Sequence, residues 1–220
     1  MLLEDQKLWH IEPQAKRLEP QCNVSLESLL RSSTKWRLKD KRLLAVTLAN
    51  TVLQFSEGPW LNKKWDKNHI SFFETAQNLI DFERPYLTTR FQQDTPDNGK
   101  EESAFQSIHP NPSLLALGIL LLEIDQGKPM KISPLDLTNG KVRNANTELT
   151  AAMRFFKESV DDLYDDYRKA IRACLEPTFL HLNQMGSLNT EDVRQSVYEC
   201  IVAPLEAELY NGFKLKAPGL

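Results

Sequence analysis

The sequence predicts a mainly α-helical domain with a short N-terminal β-hairpin and a few short strands. Three observations carry that expectation. Leu114–Ile124 is apolar on almost every side and is bracketed by an Asn-Pro start and a Gly stop. Several other segments repeat apolar residues every three or four positions, the period of a helix with one buried face. Stretches with the alternation of a strand are few and short.

Taken in order, Leu2-Leu3 and Lys7–Ile11 flank a polar Glu4-Asp5-Gln6 turn, which predicts a hairpin over 2–11. Pro13 and Pro20 bracket a polar connector, 12–24, expected to be irregular. Ser25 is placed to cap a short helix, Leu26–Arg31. A long helix is expected over Trp36–Phe55, where Leu44, Leu48, Val52 and Phe55 recur at helical spacing beside Leu38, Ala45 and Ala49. Gly58-Pro59 then ends it. Lys35, Arg37, Lys39, Lys41 and Arg42 cluster at its start. They read as an anion site or, more plainly, as a solvated face, because cations oppose the helix dipole there. His69–Phe73 and Asn78–Phe82 are the candidate strands, and residues 92–103, which hold no apolar side chain, are expected to form a mobile loop.

Asn111 as N-cap and Pro112 at the first helical position open the most strongly specified element, which Gly127 and Pro129 close. A helix without a polar face is buried all round, so this should be the central core helix. Glu123 is its exception: it either reaches the surface at the helix end or pairs with a buried partner. Beyond an irregular connector at 131–146, a helix over Thr147–Glu158 presents Leu149, Met153 and Phe156. Another is expected to start at Ser159, whose spacing to Asp162 is that of a capping box, and to run to Leu175. The last helix, Thr190–Tyr210, carries Val193, Val197, Ile201, Leu205 and Leu209. Pro204 lies inside it and removes a hydrogen bond, at about 3 kcal/mol in a straight helix, so a kink or a restart is expected there.

Composition narrows the function classes. The 220 residues can bury about 70% of their unfolded surface, so no disulfide or metal staple is required. Against 30 Asp and Glu stand 27 Lys and Arg, a net charge of −3 that argues for neither a nucleic-acid partner nor a membrane surface. Leu114–Leu122, the longest apolar run, is about half of what a membrane span needs. Cys22, Cys174 and Cys200 form no CxxC pair; Cys174 and Cys200, in apolar helical patterns, suit buried thiols in a reducing compartment, and the acidic N-terminus is no secretory signal, so a cytoplasmic protein is expected.

Candidate chemistry is sparse. Asp161, Asp162, Asp165 and Asp166 form i,i+4 pairs that could hold a cation, but a helix start favours acids in any case. His10, His69, His109 and His181 share no metal-ligand spacing. Trp60 and Trp65 beside Lys63, Lys64 and Lys67 could stack bases or sugars, or simply close the edge of the core. No GxSxG and no phosphate-cradling glycine loop is present. No metal and no cofactor is expected.

Read together, the elements resemble the carboxy-terminal lobe of a protein kinase. LLEDQKLWHIEP looks like the last two strands of the small lobe, SLESLL (25–30) like the short helix after the hinge, and ALGILLLEIDQGKP (116–129) like the buried central helix. YRKAIRACLEP (167–177) resembles a later helix with its CL dipeptide. The resemblance implies two parts, a hairpin and hinge-like segment over 1–24 and a single kinase-C-lobe-like unit over 25–220. More specifically, VLQ (52–54), PWL (59–61), PYL (85–87), NPSLLALGILLLE (111–123), CL (174–175) and VYECIVAPLE (197–206) resemble a fungal family of unknown function, often found beside prion-inhibition or incompatibility-type N-terminal regions.

The kinase comparison can be laid over the catalytic motifs, with Leu61-Asn62-Lys63 on HRD, Asn68 on the catalytic-loop Asn and Asp81-Phe82-Glu83 on DFG. A lysine then stands where a carboxylate must accept a proton, and Ser113 stands where the brace of the catalytic loop is usually an Asp. Under this comparison the sequence opens at the last two small-lobe strands, so the glycine-rich loop, its lysine and the partner Glu are absent from it. The expectation is therefore a pseudokinase-like, non-catalytic interaction or regulatory domain with protein partners in fungal signalling or self-recognition. The alternative is a Mg-nucleotide binder or residual phosphotransferase using Asn68 and Asp81.

Overall fold

The computed structural model describes residues 2–4, 7–9, 23–32, 36–55, 65–74, 80–82, 84–87, 109–137, 142–143, 146–180, 188 and 190–215. Strands β1 (Leu2–Glu4) and β2 (Lys7–Trp9) pair antiparallel with Leu3 opposite Leu8, as the alternation around Glu4-Asp5-Gln6 predicts. The connector is less irregular than expected. Its end, Asn23–Ser25, forms β3, which pairs antiparallel with β4 (Ile70–Phe73). Ser25 then caps α1 (Leu26–Arg31), its side chain accepting from Ser28 N at 3.2 Å.

The second candidate strand is displaced. Ile80 makes only an isolated bridge to Glu74, and the third strand is β5 (Tyr86–Leu87), antiparallel to β4 in a sheet ordered β3-β4-β5. Aromatic packing accounts for the shift. Phe82 turns into a cluster with Trp36 and Phe72 at centroid distances of 5.0 and 5.4 Å, while Tyr86 stacks on Phe73 at 4.5 Å, diagonally across the strand pair.

Helices make up the rest: α2 (Leu38–Phe55), α3 (Pro112–Gln126), α4 (Thr147–Ser159), α5 (Asp165–Leu175), α6 (Glu191–Val197) and α7 (Ala203–Phe213). α3 is the central one. Asn111 Oδ1 accepts from the Ser113 and Leu114 amides, both at 3.0 Å, and Gly127 closes the helix in the left-handed region at φ 63°. Leu114, Leu117, Leu120, Leu121, Leu122 and Ile124 are all buried, and α3 packs on α2, α4 and α5. Gly118 lets α5 come close: a Cβ there would stand 2.9 Å from Cys174 Cβ. His109, also buried, ties the two helices. Its Nε2–H donates to Cys174 O at 2.9 Å and its Nδ1 accepts from Asn111 N at 3.2 Å; burial lowers its pKa below the usual value, against the opposing effect of these backbone contacts.

One helix boundary differs from expectation and one follows it. Ser159 ends α4 instead of capping the next helix; a 3₁₀ turn, Val160–Asp162, follows, and Leu163 breaks the helix in extended conformation as its side chain enters the core. At Pro204 the expected restart is found. Residues Tyr198–Val202 widen into a π segment between α6 and α7, with Ala203 N–H bonding back to Tyr198 O, and Pro204 falls in the first turn of α7. Gly58-Pro59 and the 92–103 loop lie outside the described residues.

Candidate functional site

Glu123 is the one acid inside the apolar α3 stretch, and it is 1% exposed. A buried carboxylate needs a partner, and it has two. Lys67 Nζ lies 2.6 Å from Glu123 Oε1, and the Met130 amide donates to the same oxygen at 2.7 Å. Glu27 of α1 stands 3.7 Å from the same ammonium. Burial raises the Glu123 pKa, while Lys67 works against that rise. One lysine thereby joins α1, α3 and the 65–69 loop.

The same loop carries Asn68. Asp66 folds it back on itself: its carboxylate accepts from the Asn68 amide at 2.8 Å and from Asn68 Nδ2 at 3.2 Å, and lies 2.8 Å from His69 Nδ1. Burial tends to raise the Asp66 pKa, but the Asn68 and His69 contacts outweigh it and leave it below the usual value. Asp81 sits elsewhere. Its amide donates to Phe73 O at 3.1 Å, at the far end of β4, and Arg84 Nε is 4.0 Å from its carboxylate. Three residue steps, about 10 Å, separate the two ends of β4. The residue brought alongside the Asn68 end is Leu87, opposite Ile70. The strand register thus does not bring Asn68 and Asp81 together.

Trp65 is buried and closes the core edge, with no hydrogen-bond acceptor for its indole N–H among the described residues, whereas Trp60, Lys63 and Lys64 lie outside them. So do His10, His181 and the Leu61-Asn62-Lys63 triplet. Asp165 and Asp166 pair along their own helix with Arg168 and Lys169, and Asp161 and Asp162 are exposed. Among the described residues, no group of three or more His, Cys, Asp or Glu is placed to hold a metal ion, and no helix is long and apolar enough to cross a membrane.

A family model described as "Domain of unknown function (DUF7580)" matches residues 1–212. The chain belongs to that family. Comparison with curated proteins returns no match. The DUF7580 match runs from β1 almost to the end of α7, so every packed element described above, but for the last residue of α7, falls inside it.

Within this DUF7580 domain, two polar centres escaped the sequence reading. Arg42, read with its neighbours as part of a solvated face, is 1% exposed. Its guanidinium bonds Asp125 at 2.7 Å, contacts Glu208 of α7, and lies 4.0 Å from the Tyr167 ring centroid. Glu208 also accepts from Tyr167 N at 2.9 Å, and Tyr167 OH donates to Leu121 O at 3.0 Å. Its neighbour Lys41 caps α3, donating to Asp125 O at 2.6 Å. The signal was present: positions 38, 42, 45 and 49 share one stripe of α2, so an arginine there must meet acids. The second centre joins Asp136, in the 3₁₀ turn Pro134–Asp136, to Arg154 of α4 through two bonds of 2.9 and 2.8 Å. Nothing in the spacing of these two residues announces the pair.

Proposed function

We propose that the domain is a non-catalytic, pseudokinase-like interaction or regulatory module that works through a protein partner in fungal signalling or self-recognition. The observation that carries this reading is the use of the 65–69 loop. In the kinase comparison that loop would present Asn68 to a metal-nucleotide, yet here Lys67 anchors it to Glu123 and Asn68 is engaged by Asp66. Ionic groups elsewhere in the interior are likewise engaged in joining helices, as Arg42 joins α2, α3 and α7. Such a network stabilises a rigid body whose surface, more than its interior, is available for work. The kinase-lobe reading draws further support from the burial of α3 at the centre of the helices, and the fungal reading from the PWL, PYL and VYECIVAPLE motifs.

The test has two arms. Thermal melting of the purified chain with magnesium and ATP is expected to show no shift. A nucleotide at a hundred times its dissociation constant would add about 2.7 kcal/mol, and a shift of that order abolished by Asp81→Ala would replace this reading with that of a nucleotide binder. Affinity capture from fungal lysate, followed by re-binding of the captured protein to the purified chain, is expected to give a direct partner. Failure to recover any protein that re-binds would count against the module.

A further inference from the structure

We infer that the cleft bounded by α1, the segment after α3, and α4 is a docking groove for a short acidic segment of a partner protein, with an apolar side chain seated among the acids. The inference rests on the interaction reading above and names the chemistry of the partner. The cleft encloses about 540 Å³. Its apolar part comes from Leu30, Pro129 and Phe155, while its charge is one-sided: Arg31, Lys128, Lys131 and Arg154 against Glu158 alone. Two of these cations are already committed, Arg31 to Glu27 and Arg154 to Asp136 and Glu158. Lys128 and Lys131 are exposed, and among the described residues neither has a carboxylate at ion-pair distance.

Lys128 Nζ lies 5.5 Å from the Phe155 ring centroid, so a positive charge and an apolar ring line the same recess. A ligand carboxylate would meet the two ammonium groups while a neighbouring aliphatic or aromatic side chain packs over Pro129 and the narrow exposed edge of the otherwise buried Phe155. The surplus of positive charge is local, since the chain as a whole carries −3. Beside the cleft, Leu135 is 84% exposed, on the turn that Asp136 pins to Arg154. An apolar side chain held outward by a fixed turn offers contact at small entropic cost. A concave, apolar recess flanked by lysines suits a peptide better than a lipid surface, which is met by a projecting basic face.

The test is selection of a displayed random-peptide library on the full chain. Enriched peptides are then titrated against the chain and its Lys128→Glu/Lys131→Glu variant, with phosphatidylserine vesicles as a parallel probe. Enriched peptides are expected to flank Leu, Ile or Phe with Asp or Glu, and to bind the variant at least about tenfold more weakly. Both lysines being exposed, the variant should melt with the parent; if it does not, Lys128→Gln/Lys131→Gln provides the same comparison. Enrichment without acidic bias, equal binding to the variant, no enrichment, or lysine-dependent vesicle binding without an enriched peptide would each overturn the groove. A magnesium-ATP shift lost in Asp81→Ala would sink the interaction reading itself, whereas indifference to the two lysines sinks only the groove.

Discussion

Replacing Asp136 by asparagine changes one oxygen for one NH₂ and tests the ion pair that fixes the turn beneath Leu135. Asp136 is 5% exposed, and its carboxylate accepts Arg154 Nε at 2.9 Å, Arg154 Nη2 at 2.8 Å and Ser133 N at 2.7 Å. The arginine bonds, opposed in part by burial and aided by Ser133, hold the carboxyl at about 2 against its ordinary 3.8. At about 1.4 kcal/mol per pKa unit, that difference stabilises the fold by about 2 kcal/mol. The sign follows from linkage. A carboxyl depressed on folding contributes fully above the unfolded value of 3.8, and the contribution disappears as pH falls from there to about 2. The asparagine side chain carries no charge at any pH. Urea unfolding should therefore place Asp136→Asn about 2 kcal/mol below the parent near neutrality, with the gap narrowing below about pH 4 and closing towards about pH 2. Arg154→Lys should fall between them, because one ammonium cannot span both carboxylate oxygens. A gap that stays constant with pH, or one near zero at neutrality, refutes the argument.

Arg42→Met should cost about 3–5 kcal/mol in urea unfolding, since it strands Asp125 and Glu208, and adding Glu208→Gln should recover part of that loss because one stranded charge disappears while the acceptor for Tyr167 N remains. Gly118→Ala gains about 1 kcal/mol of helix propensity but drives a methyl to 2.9 Å from Cys174 Cβ and 2.8 Å from Leu175 Cδ2; the crowding, about 1–3 kcal/mol, should win and lower the melting temperature. Burial pushes the Cys174 thiol far up and, with Glu199, the half-buried Cys200 thiol up to a lesser degree, so in a Cys22→Ser background maleimide should modify Cys200 slowly in the native protein and Cys174 only as fast as the chain unfolds.

Much of the helical architecture was legible because it is written locally. Asn111-Pro112 and Gly127 mark the ends of α3 through the dihedrals and orphan amides of single residues, and its apolar run dictates burial without reference to any neighbour. The strands were less legible, because pairing depends on which residues meet. Phe82 had the composition of a strand end but was drawn into the Trp36 cluster, and Tyr86 took the place beside β4. Ser159 matched a capping spacing, yet the demand of Leu163 for the core moved the start of α5 to Asp165.

The polar interior divides in the same way. Sequence by itself determined that Glu123 required either the surface or a buried cation, and that α3 would be the helix on which others pack. Only the tertiary structure decided that the cation is Lys67, that Arg42 faces inward to Asp125 and Glu208, and that Asn68 and Asp81 lie at opposite ends of β4. Helix caps and apolar stripes are set by bonds within a few residues, which a linear pattern records. Ion pairs across 56, 83 and 166 positions are set by how helices cross, and a chain folded in one dimension carries no measure of that distance.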